Sequence, residues 1–128
     1  MPEHRRSPAR LATEAADRIR SFNHGTQDAA AYPYPGDVDD AVQALVLLAV
    51  RLPQAIEQTG SSLARMHRAG NVRLDVMGDT VPLDEHMDAS AQVTAEAARA
   101  ASALEAALKK LGARTCRLAW SEPADSVA

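Results

Sequence analysis

A chain of 128 residues that is 46% hydrophobic, with a mean hydropathy of -0.25, has the size and polarity of one water-soluble domain. Its formal net charge of -3 is spread without a long block of either sign, which argues against a polyacidic or polybasic tail. The single Cys116 excludes an intramolecular disulfide, and with 3% aromatic residues the core must come from aliphatic side chains and Ala.

Ala is the strongest helix former and dominates residues 89–107, so the expected fold class is all-α. Ser7-Pro8 opens a first helix, with Ser as cap and Pro where its missing N–H costs nothing. Leu11, Ala15, Ile19 and Phe22 form one stripe, and the helix is expected over residues 8–23, closed by a left-handed Gly25. Two X-Pro pairs in Tyr32-Pro33-Tyr34-Pro35 predict an extended path into Asp37, the expected N-cap of the second helix.

That second helix is expected over 38–69. Val38, Val42, Leu45, Ala49, Leu52, Ile56, Thr59, Leu63 and Met66 alternate by four and three, a coiled-coil-like seam that keeps its phase across Pro53 and Gly60. The reading is therefore one helix, kinked near those residues, and its alternative is a break at Gly60. Residues 71–81 interrupt the helical pattern. Val72, Leu74 and Val76 alternate with polar residues, as an irregular loop over the bundle or as a strand that pairs with its copy in a dimer. A third helix over 82–111 repeats the seam through Leu83, Met87, Ser90, Thr94, Ala97, Ala101, Leu104, Leu108 and Leu111, until Gly112 stops it.

At ~1.5 Å per residue the second and third helices would be about 50 and 43 Å long. They match well enough to lie antiparallel, and with the first helix they make a three-helix bundle. Residues 1–112 form the single domain and 113–128 a flexible C-terminal tail.

Around Leu45–Leu52 the second helix is apolar on every side, because Val46, Leu47, Leu48 and Val50 lie off the seam. A helix apolar all round must be covered all round, and Val46, Leu47 and Val50 are the expected interaction surface, in a homodimer or with a protein partner.

Chemistry is harder to find. Asp37-Val38-Asp39-Asp40 and Asp84-Glu85-His86 with Asp88 are carboxylate groupings, read as helix-start charge rather than as acids or metal ligands. His24, Tyr32, Tyr34 and Asp37 form a loop cluster, the candidate site of a small ligand-binding bundle. Arg5, Arg6 and Arg10, with Lys109, Lys110, Arg114 and Arg117, are candidate phosphate contacts for an accessory DNA-binding protein. Neither metal nor cofactor is expected. The longest strongly apolar run, Ala44–Val50, is far short of the ~20 residues a membrane helix needs, so no membrane association is expected and the cytoplasm is the expected compartment.

Over Ala15-Ala16-Asp17-Arg18-Ile19-Arg20-Ser21-Phe22-Asn23-His24, and again from Tyr34-Pro35-Gly36-Asp37-Val38 to Leu52-Pro53-Gln54-Ala55, the chain resembles a group of small Ala-rich helical proteins of high-GC Gram-positive bacteria. These look like accessory genes near regulators or mobile elements. The resemblance spans roughly residues 12–108 and implies a helical fold, with no activity and no catalytic residue. The leading expectation is thus a non-enzymatic interaction or regulatory protein.

Overall fold

The computed structural model describes residues 5–75 and 81–124. It is all-helical: α1 spans Pro8–Gly25, a 3₁₀ turn Ala29–Ala31, α2 Pro35–Arg68 and α3 Leu83–Thr115. α2 and α3 pack against each other as an antiparallel hairpin, the long hairpin that the matched periodicities predict. Four cross-contacts fix its sense. His67 meets Asp84, Gly60 meets Thr94, Gln43 lies over Gly112, and Thr115 bonds to Asp39.

The ends of the helices follow local chemistry. The Ser7 hydroxyl accepts from the Arg10 N–H at 3.2 Å and caps α1 as expected. Its far end is closed by Thr26 and not by a left-handed Gly25. The Thr26 hydroxyl and N–H both reach the Phe22 carbonyl at 2.9 Å, which satisfies that end without a positive φ.

α2 begins earlier than the sequence suggests, because Pro35 takes the first helical position instead of prolonging the extended path. Tyr34 becomes the N-cap, and Asp37, expected to be the cap itself, sits at the third position, where its carboxylate accepts from the Tyr34 N–H at 3.0 Å. At the other end Gly70, with φ of 77°, lets its own N–H reach the His67 carbonyl and that of Asn71 reach Met66, both at 2.9 Å.

α2 is continuous through Pro53 and Gly60. Gly112 does not stop α3. It is a buried residue inside the helix, so residues 113–115 belong to α3 and not to a tail. Residues 71–75 are irregular, with Val72 and Leu74 half-buried; Val76 lies outside the described residues.

The seam is rotated from the expected one. The row Val42, Ala49, Ile56, Leu63 is retained, though Leu63 is 38% exposed, and Asp39, Val46, Pro53, Gly60 and His67 join it, while of the expected companions Leu45 and Leu52 stay half-buried and Val38, Thr59 and Met66 do not. Asp39, Gly60 and His67 touch α3, and Val46 and Pro53 are half-buried, whereas Val38 and Met66 are exposed. In α3 the same shift puts Ala98, Glu105 and Gly112 at the seam and leaves Leu104 and Leu111 47% and 46% exposed.

The cause is close approach. Ala49, Ala98 and Ala101 are buried, and Gly60 and Gly112 leave room only for Thr94 and Gln43, so small residues let the helix axes come together while large ones flank the contact. α1 contributes no buried residue; Ile19 and Phe22 are half-buried and Leu11 is exposed.

Candidate functional site

The open end of the hairpin holds its best-made polar contacts. Asp39 Oδ1 accepts from the buried Thr115 hydroxyl at 2.7 Å and from Gln43 Nε2 at 3.2 Å. A charge-assisted bond of this kind, made between residues far apart in sequence, pins the two helix ends. Its carboxylate is therefore occupied structurally, and Asp37 is engaged with the Tyr34 N–H. Among the described residues no three His, Cys, Asp or Glu side chains gather as a metal ion requires.

Of the loop cluster, the fold joins Tyr34 and Asp37 at the start of α2 and adds a residue that sequence reasoning missed. The Trp120 ring stands edge-on to Tyr34, with centroids 5.4 Å apart and planes at 87°. The chain after α3 thus runs back to the start of α2. A lone Trp in an aperiodic stretch carried no signal of this. Tyr32 is half-buried beside the 3₁₀ turn, and His24 is an exposed residue in the last turn of α1, with no hydrogen bond to the other three among the described residues.

The basic residues are partly neutralised. Glu14 is 2.8 Å from Arg6 and 3.4 Å from Arg10, and Glu105 is 2.7 Å from Lys109. Arg5, Lys110, Arg114 and Arg117 are exposed, Arg5 ahead of α1, Lys110 and Arg114 on α3 and Arg117 just beyond its end.

The remaining feature is apolar. No large side chain among the described residues is fully buried. Leu47 and Val50 are 59% and 43% exposed, while Val46, the third expected interaction residue, lies on the seam row and is half-buried. Further along, a groove of about 490 Å³ opens between the helices, with Glu57 and Ser61 on one wall and Ala95, Arg99 and Ser102 on the other. It joins a smaller one of about 250 Å³ under Val72 and Leu74.

No family model matches the chain, and neither a curated protein nor a solved structure does. The site is therefore read from its own geometry. Among the described residues no helix is long and apolar enough to cross a membrane. What the arrangement offers is a rigid pair of helices with large aliphatic side chains turned outward.

Proposed function

We propose that this protein is a non-enzymatic interaction or regulatory protein of the cytoplasm, which works by pairing an apolar helical face with another protein surface. One observation carries the reading. Among the described residues the buried apolar core is made of Val42, Ala49, Ala98 and Ala101, and no large side chain is fully buried. Leu47, Leu48, Val93, Leu104 and Leu111 are each more than a third exposed. A lone aliphatic side chain on a surface is ordinary, but ranks of them along a rigid hairpin mark a contact surface.

The test combines light scattering over a concentration series with binding of a hydrophobic dye. The reading expects either self-association or, in a monomer, strong dye fluorescence that falls when exposed leucines become polar. A monomer that binds no dye would overturn it.

A further inference from the structure

We infer that the broad side of the hairpin carrying Leu48 and Leu104 is the contact surface for a second copy of this chain, so that two hairpins stack into a four-helix bundle. The inference rests on the interaction reading above and names its partner.

The geometry follows from the seam. A helix turns roughly 100° per residue, so Leu45, Leu48 and Leu52 lie to one rotational side of the buried Val42 and Ala49. Val93, Leu104 and Leu111 lie to the same rotational side of Ala98 and Ala101. Two antiparallel helices in contact are related by a local two-fold axis normal to their common plane, which brings positions displaced in the same sense onto one broad side. The groove gives an independent check, because Glu57, Ser61, Ala95 and Ser102 are displaced in the opposite sense and together line it.

The two sides differ in charge. No charged residue stands at positions 38, 41, 45, 48, 52, 55, 59, 62 or 66 of α2, or at 93, 97, 100, 104, 107 or 111 of α3, whose rows carry His86 and Arg114 only at their two ends. In a chain that is 24% charged, this is segregation. The other side carries Glu57, Asp88, Arg99 and Lys109. A face with so little charge offers nothing to a phosphate backbone or to an acidic or basic peptide; it takes an equally apolar surface, and a second copy presents one of the same length and shape.

Area and symmetry point the same way. Helices of 34 and 33 residues are ~50 Å long, and at an axis separation of 8–10 Å their paired face covers on the order of 1,000 Å². A stable protein contact needs about 800 Å² per partner. Leu48 and Leu104 share this side with Ala55, Ala97 and Ala100, the alternation of large and small residues that interdigitation about a two-fold axis requires.

Sedimentation at increasing concentration tests the proposal with two double variants. The wild type is expected at twice the chain mass of 13.6 kDa, Leu48→Glu with Leu104→Glu at the chain mass with its helical circular dichroism retained, and Leu47→Glu with Val50→Glu still at twice the mass. Because paired glutamates can unfold a small hairpin, thiol protection is measured alongside in a Cys116→Ser background. Leu104→Cys is expected to react with a water-soluble disulfide reagent at least tenfold more slowly than Ser102→Cys on the opposite side. A dimer lost only in the Leu47/Val50 variant, or equal thiol rates, would overturn the assignment of the face. A wild-type monomer overturns the second copy as partner; if it binds dye, the broader interaction reading survives, and if it does not, both fall.

Discussion

At Gly60 an added Cβ would stand 2.6 Å from Thr94 Cγ2, whereas at Gly112 it would stand 2.8 Å from Gln43 Nε2. The distances are alike and the neighbours are not. Thr94 is a short, β-branched, half-buried side chain whose hydroxyl donates to the Ser90 carbonyl at 2.8 Å, so it cannot swing aside. Gln43 presents the far end of a flexible, exposed side chain, which can give way at the expense of its long 3.2 Å bond to Asp39. Ala is favoured over Gly inside a helix by about 1 kcal/mol, and overpacking a close contact costs roughly 1–3 kcal/mol. Gly60→Ala is therefore expected to destabilise by up to about 2 kcal/mol, and Gly112→Ala to be neutral or stabilising by up to ~1 kcal/mol. Denaturant midpoints at constant slope measure both. Adding Thr94→Ser, which deletes the clashing methyl, should restore most of the loss in Gly60→Ala; no recovery would mean that the backbone, and not this contact, resists the methyl.

Among the elements, α2 poses the sharper energetic question, since Pro53 sits near its middle without breaking it. The proline removes one N–H, leaving the Ala49 carbonyl without the donor that residue 53 would supply, and its ring crowds the preceding turn. Flanking turns that pack Ala49, Leu52 and Ile56 along the hairpin outweigh the loss together, each half-buried side chain contributing on the order of 1 kcal/mol. Pro53→Ala should accordingly raise stability by about 1–3 kcal/mol, read as a higher denaturant midpoint with unchanged helicity. A drop would show that the half-buried ring contributes more to the seam than the missing bond takes away. The existence, order and pairing of the helices were legible because apolar residues recur at helical spacing across both Pro53 and Gly60. The rotation of the seam was not legible, since large side chains dominate any periodic pattern while close approach is decided by Ala49, Gly60, Ala98, Ala101 and Gly112. The same oversight made Gly112 look like a stop. The interruption after α2 was read from loss of period, and its cap, Gly70, follows from the one positive φ among the described residues.

On the scale of the whole molecule, an excess of aliphatic surface could be seen in the sequence around Leu45–Leu52, but not the side on which it would lie. Leu47 and Val50 look outward in both descriptions, yet they stand among Gln43, Gln54 and Glu57, whereas the uncharged rows of α2 and α3 merge into one face only once the hairpin is paired. If that face holds a second copy, association adds to the stability of a hairpin that already folds, because each hairpin alone leaves its large side chains wet. Stability then depends on protein concentration: a hundredfold increase favours a native dimer over two unfolded chains by ~2.7 kcal/mol. For a domain of this size that corresponds to a rise of several degrees in the unfolding midpoint. Thermal melts followed by circular dichroism across such a range should show the wild-type midpoint climbing and that of Leu48→Glu with Leu104→Glu lower and constant. A wild-type midpoint that stays fixed would uncouple folding from association, and the hairpin seam with its small-residue contacts would then have to hold the fold by itself.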